Sequence, residues 1–165
     1  MKPVLSTYRI LKEKAINADI DEHWIDWAIE MMHEGYEVDS LYQLAGMSKP
    51  FNQFELQSLT NTVLKDLHLD YSNKQETLKN YAYFLIQTNI ENADKYYEIL
   101  KEFRDIYYEL EMDSEFESFA ILFWAKEDLI YSEIQWYWEG ANRANIDKII
   151  HQQFTIWKTE FECNK

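Results

Sequence analysis

The segment Glu98–Glu139, EILKEFRDIYYELEMDSEFESFAILFWAKEDLIYSEIQWYWE, concentrates charge and aromatic side chains in one part of the chain. Twelve acidic residues stand against three basic ones here, which gives −9 of the net charge of −14 carried by all 165 residues. Apolar residues recur every three to four positions, the spacing of amphipathic helices. The segment therefore predicts three successive helices: one ending near Leu110, one beginning after Ser114, and one over about Leu129–Glu139, ended by Gly140.

Helical patterning continues on both sides of this segment. The chain has only 3 Gly and 2 Pro, so tight hairpin turns are scarce and long helices are favoured. The sequence predicts an all-α fold, a single-domain bundle of about eight or nine helices over residues 1–165. The clearest apolar stripe belongs to the last predicted helix and comprises Ile146, Ile149, Ile150, Phe154, Trp157 and Phe161.

Polar residues mark the starts of several predicted helices. Asp19 or Asp21 is expected to cap a helix that runs to about Glu34, since a short acidic side chain can accept hydrogen bonds from the first turn. Asn73 followed by Glu76 resembles a capping box at the start of the fifth helix. The predicted core of the central segment consists of large apolar side chains at helical spacing: Phe103, Ile106, Phe116, Phe119 and Phe123.

Composition limits the class of protein and its partners. Hydrophobic residues make up 47% of the chain and aromatic residues 16%, which argues against disorder. A net charge of −14 is repelled by nucleic acid and by anionic lipid, and attracts basic proteins. Cys163 is the one cysteine, the start MKPVLSTYRILKEK lacks a signal-peptide run, and no stretch reaches about 18 apolar residues. We therefore expect a cytoplasmic protein that binds neither membrane nor nucleic acid.

Motifs for catalysis or cofactor binding are not evident. Glu30 and His33 form one Glu-x-x-His, but di-iron bundles need a second copy and the other histidines lack it. Cys163 lies in the terminal FECNK with no neighbouring histidine or basic cluster to lower its pKa. Three glycines leave little material for a phosphate-binding loop. The sequence thus predicts no catalytic residue, no metal and no cofactor, and a helical enzyme of unknown chemistry is the least favoured alternative.

Two features exceed what folding alone requires. The run Glu109–Glu117, ELEMDSEFE, holds five acids and no base, although like charges at close spacing destabilise a helix. The run Ile134–Trp138, IQWYW, would place three large rings about 100° apart on a helix, so at least one should reach solvent. Acids steer a basic partner and rings supply burial. The candidate partner-binding residues, expected to share one exposed surface, are Tyr108, Glu109, Glu111, Asp113, Glu115, Glu117, Trp136, Tyr137 and Trp138.

The segment Trp27–Glu55 begins with W-A-x-x-M and contains L-A-G at Leu44–Gly46. This pattern resembles that of small, uncharacterised all-helical bacterial proteins of the toxin-immunity type. The resemblance implies an immunity- or antitoxin-like protein that neutralises a basic toxin domain, such as a nuclease, by occluding it. It assigns no functional residues. A non-toxin interaction module, including a self-associating regulatory one, is the alternative, and the sequence leaves the oligomeric state open.

Overall fold

The computed structural model describes residues 3–164. Helices are the regular elements of this range, which contains no strand. The predicted all-α class is therefore confirmed. Within residues 3–164 no helix has the length and apolar composition that crossing a bilayer requires. Eight α-helices and one short 3-10 helix lie in this range: α1 (Thr7–Ala15), α2 (Glu22–His33), α3 (Asp39–Ala45), α4 (Gln53–Asp66), α5 (Lys74–Asn89), the 3-10 helix (Ala93–Lys95), α6 (Tyr96–Glu109), α7 (Ser114–Tyr131) and α8 (Ile146–Cys163).

The chain divides into two compact units, Met1–Tyr81 and Ala82–Lys165. The first holds α1 to α4 and the second holds α6 to α8. Whether the chain folds as the single domain expected from its length stays a prediction, and each unit is described by itself.

Two tryptophans of α2 form the centre of the first unit. Trp24 and Trp27 are buried and pack edge to face with ring centroids 5.8 Å apart. Their indole N–H groups donate to side chains of α1: Trp24 to Glu13 Oε2 at 2.9 Å, and Trp27 to Thr7 Oγ1 at 2.9 Å. Both polar edges are thus satisfied although the rings are buried. This pairing fixes α1 against α2.

Two predicted helix starts are confirmed. Asp21, rather than Asp19, caps α2, and its carboxylate accepts a hydrogen bond from the backbone N–H of His23 at 3.0 Å. Asn73 precedes α5, and its side-chain oxygen accepts from the backbone N–H of Glu76 at 3.1 Å. The Asn73 amide also donates to the Glu76 carboxylate at 3.2 Å. Local capping chemistry therefore predicted these boundaries well.

Lys14 of α1 is a buried cation in the first unit, only 6% exposed. Its Nζ donates to Gln57 Oε1 at 2.7 Å, Thr60 Oγ1 at 2.8 Å and the Gln57 carbonyl at 3.2 Å, all on α4. The three ammonium donors are therefore all used. Burial lowers the pKa of Lys14 to about 8, because desolvation disfavours the charged form.

Phe103 of α6 lies at the centre of the second unit and is fully buried. Its ring packs against rings of α7 and α8 at centroid distances from 4.9 to 6.1 Å: Phe116, Phe119, Phe154 and Trp157. The predicted core is confirmed, since these residues are all buried: Phe103, Ile106, Phe116, Phe119 and Phe123.

α6 and α7 are joined by a short turn, residues 110–113. Glu111 and Met112 adopt left-handed φ angles of 55° and 64° there. Asp113, rather than Ser114, is the N-cap of α7, and its carboxylate accepts from the backbone N–H of Glu115 at 2.9 Å. The acidic run therefore contributes one residue to capping, where a carboxylate also complements the positive end of the helix.

α8 runs antiparallel to α7. Near its C-terminal end, Trp157 Nε1 donates to Glu115 Oε1 at 3.0 Å, at the start of α7. In the first turn of α8, Asp147 Oδ1 accepts from Lys126 Nζ at 2.5 Å, near the end of α7. The end of α7 and the start of α8 therefore lie close together.

The expected separate helix over Leu129–Glu139 is wrong. α7 continues unbroken to Tyr131, and residues 132–145, called here the α7–α8 loop, contain no helix. Ser132 is extended, and its hydroxyl accepts from the backbone N–H of Ile134 at 3.1 Å. This local bond competes with helix continuation. Gly140 does not end a helix but lies within the loop at φ 78°.

The free energy of unfolding should rise between about pH 8 and pH 10. The pKa of Lys14 is about 8 in the folded protein, below the ordinary 10.5. Between these values the unfolded chain binds more protons than the folded one, so protonation favours unfolding, and this effect weakens as pH rises. Below about pH 8 both states are protonated and this contribution to the slope vanishes. Urea unfolding at several pH values measures how the free energy of unfolding changes with pH. The Lys14→Met variant should lack this rise.

Lys148→Met is the matched control, because Lys148 is an exposed lysine of α8. This variant should keep the rise in stability shown by the wild type. A Lys14→Met variant with the same pH slope as the wild type would show that the buried ammonium does not set it.

Candidate protein-binding surface

Five large apolar side chains face solvent in residues 130–137, at the end of α7 and in the α7–α8 loop. We call them the aromatic patch. Several large apolar groups exposed within one short stretch of chain are typical of interaction sites. The exposed fractions are 48% for Ile130, 82% for Tyr131, 59% for Ile134, 88% for Trp136 and 50% for Tyr137.

Gln135 holds the backbone beneath this patch. Its Oε1 accepts from the backbone N–H groups of Tyr137 at 2.9 Å and Trp138 at 2.8 Å. Its Nε2 donates to the carbonyls of Trp138 at 2.6 Å and Ala141 at 3.0 Å. A side-chain amide has two donors and two acceptor positions, and Gln135 uses all four on its own loop.

The second half of the α7–α8 loop is held in the same way. Asn145 accepts from the backbone N–H of Asn142 at 2.8 Å and donates to the Gly140 carbonyl at 2.9 Å. Arg143 Nε donates to the Leu129 carbonyl in the last turn of α7 at 2.8 Å. Side chains of the loop therefore replace the backbone hydrogen bonds that a helix would supply.

The part of the chain that carries the aromatic patch is acidic. Residues 127–142 contain no base, and the carbonyl end of α7 adds partial negative charge. Arg143 Nη1 lies 3.9 Å from Glu133 Oε1, but Glu133 has an 88% exposed side chain, so this surface pair contributes little. The acids in this part of the chain are Glu127, Asp128, Glu133 and Glu139. The patch is thus suited to basic side chains.

Arg104 shows within the same unit how such a surface binds a guanidinium. Its Cζ lies 4.3 Å from the centroid of Phe123 and 5.7 Å from that of Trp124. Its Nη2 donates to Asp105 Oδ1 at 2.6 Å. Ring faces and a carboxylate therefore hold one cation together. Exposed rings beside Glu133 offer a partner's arginine the same chemical groups.

The acidic run Glu109–Glu117 lies at the opposite end of α7. An 18-residue helix rises about 1.5 Å per residue, so about 25 Å separates that end from Tyr131. The single surface expected from the sequence therefore divides into two. Tyr108 is 54% exposed beside the acidic run. The exposed acids there are Glu109, Glu111, Glu115 and Glu117, while Asp113 is half-buried.

Sequence reasoning found part of the aromatic patch and missed the rest. Exposure of at least one ring is confirmed by Trp136 and Tyr137, whereas Trp138 is half-buried. Three members were not predicted: Ile130 and Tyr131, which lie in the last turn of α7, and Ile134, which lies in the loop. The available signal was the polar pair Ser132 and Gln135, whose side chains can bond to nearby backbone in place of a helix.

The other candidate sites are a metal site, the Glu-x-x-His motif and a groove in the first unit, and they provide fewer groups for binding or catalysis. Within residues 3–164 no three His, Cys, Asp or Glu side chains converge as a metal ion would need. Glu30, from the lone Glu-x-x-His, accepts a hydrogen bond from Ser6. An open groove of about 490 Å³ in the first unit has these lining residues: Glu22, Ile25, Asp26, Met47, Ser48, Lys49 and Phe51. Lys49 pairs with Glu22 there at 2.6 Å.

Comparison with known proteins gives no match for this chain among family models, curated proteins or solved structures. The aromatic patch, its ordered backbone and its carboxylates therefore carry the functional interpretation.

Fluorescence quenching should single out Trp136 among the six tryptophans. Caesium ions should quench its emission more strongly than iodide does, each relative to a free tryptophan amide, because the nearby carboxylates concentrate cations. Trp136→Phe should remove most of the caesium-accessible emission, since that side chain is 88% exposed.

Trp138→Phe is the control, because Trp138 is half-buried in the same loop, and it should cause the smaller loss. Equal quenching by both ions, or no change in Trp136→Phe, would contradict an exposed ring in an acidic setting.

Proposed function

We propose that this protein is a cytoplasmic binding protein that neutralises a basic protein domain by occluding it, in the manner of an immunity or antitoxin protein. One observation carries the proposal: the α7–α8 loop holds Ile134, Trp136 and Tyr137 in solvent, within an acidic part of the chain. Trp136 is its most exposed ring. The toxin-directed role rests further on the resemblance of Trp27–Glu55 to immunity-type proteins.

Rings and charges supply different parts of binding. Large aromatic anchors that become buried supply most of the energy of a protein interface. Charges at the rim accelerate encounter and select partners of opposite sign. The patch has both kinds of group, and residues 127–143 carry four acids against one base, Arg143, so their net negative charge favours a basic partner. Nucleic acid would be repelled by the same carboxylates.

Self-association is the alternative that the same rings favour. In a symmetric dimer the same patch of both copies would meet, so their acids would also approach each other. That repulsion disfavours a second copy relative to a basic partner. The two cases respond oppositely to salt, because screening weakens attraction between unlike charges and relieves repulsion between like ones.

A photoreactive phenylalanine analogue at position 136 tests the proposal in the cells that make the protein. We expect a crosslink to one basic protein, formed less efficiently as salt is raised in the cell extract. The matched control carries the analogue at position 54, because Phe54 is 85% exposed but lies in the other unit. Crosslinks between copies of this chain, strengthened by salt, would support self-association instead.

Charge reversals separate the two acidic surfaces. Glu133→Lys with Glu139→Lys should reduce the crosslink at least about tenfold, because rim charges that repel a partner cost several kcal/mol. Glu111→Lys with Glu117→Lys makes the same change in net charge about 25 Å away, beyond the Debye length at physiological salt. An equal loss of crosslink in both double variants would indicate that the partner responds to the overall negative charge and not to a site at the aromatic patch.

A further inference from the structure

We infer that the α7–α8 loop is a preordered docking loop, and that Gln135 is the residue that positions its aromatic side chains for the partner. This role builds on the partner site proposed above. Gln135 is a further residue of that site, although its side chain bonds to the loop backbone and is only partly exposed.

The length of the loop is the first observation. Lys126 and Asp147 join the two helices by an ion pair, and Arg143 bonds to the last turn of α7, so the helix ends are close. Connections between neighbouring helices usually need about two to eight residues. Residues 132–145 exceed that need, and loops of such length without secondary structure are usually functional.

The orientation of the side chains is the second observation. Loops usually expose polar side chains, but here Gln135 and Asn145 bond to the loop backbone. The large apolar side chains Ile134, Trp136 and Tyr137 face solvent instead. Without these bonds the loop backbone could rotate and bury the rings against the protein. The four hydrogen bonds of the Gln135 amide fix the backbone instead. The arrangement favours presentation of the rings over their burial.

Preordering has a direct consequence for binding. Conformational entropy of the loop is lost during folding and need not be lost again when the partner arrives. A fixed, protruding Trp136 fits a pocket on a folded basic domain. An extended basic peptide would need a groove instead. Gln135 would therefore raise affinity without contacting the partner.

Amide hydrogen exchange on the free protein tests the order of the loop. In wild type the N–H groups of Tyr137 and Trp138 should be protected. Gln135→Leu removes their shared acceptor and should speed their exchange at least about tenfold, while amides of α7 such as Leu122 keep their rates. The thermal midpoint should fall by only several degrees, because the lost bonds stabilise the loop and leave the Phe103 core intact.

Gln135→Glu separates the two halves of the amide. It keeps the acceptor for Tyr137 and Trp138 N–H, so their protection should largely persist, but it cannot donate to the Trp138 and Ala141 carbonyls. Affinity for the protein crosslinked at position 136, measured at high salt where the added carboxylate is screened, should fall in Gln135→Leu more than in Gln135→Glu. Partial rescue of this kind would not follow from a general loss of structure.

The two proposals can fail separately. Unprotected Tyr137 and Trp138 amides in wild type would overturn the preordered loop, whatever binds at position 136. Protected amides with unchanged affinity in Gln135→Leu would overturn the positioning role and leave the partner site standing. A protected loop with no partner crosslinked at position 136 would overturn docking and the proposed function together.

Discussion

The second unit depends on the burial of Phe103 between α7 and α8. Its ring contacts two rings from each of these helices, so α6 cannot shift without opening the core of the unit. Interiors packed in this way tolerate little change in volume. The antiparallel pair α7 and α8 is then fixed, and its adjoining ends hold both ends of the α7–α8 loop. A rigid aromatic core thus supports an exposed aromatic patch.

Periodicity predicted the core well and the loop poorly, for identifiable reasons. Buried rings repeat at helical spacing, and residues such as Phe116 and Phe154 follow that rule. No Gly or Pro occurs between Ser114 and Glu139, so the only local signal for the end of α7 at Tyr131 was the polar pair Ser132 and Gln135. The helix ends where Ser132 becomes extended and its hydroxyl accepts from the Ile134 N–H, and Gln135 then holds the backbone that follows. The rings were expected to be exposed because of helical spacing, but they are exposed because they lie in a loop.

The resemblance to immunity-type proteins concerns packing rather than a site. Trp27, Ala28 and Met31, which carry its first motif, are all buried in the first unit. Leu44 of the second motif is buried as well. The proposed partner surface lies entirely in the second unit.

Amide exchange on the complex with the basic partner is the most direct measurement of where binding occurs. It compares the α7–α8 loop with the acidic turn at the other end of α7 in one experiment. Binding through the aromatic patch predicts slower exchange around Ile134–Trp138 and little change at Glu109–Glu117. Slower exchange confined to Glu109–Glu117, with the loop unchanged, would contradict the central claim.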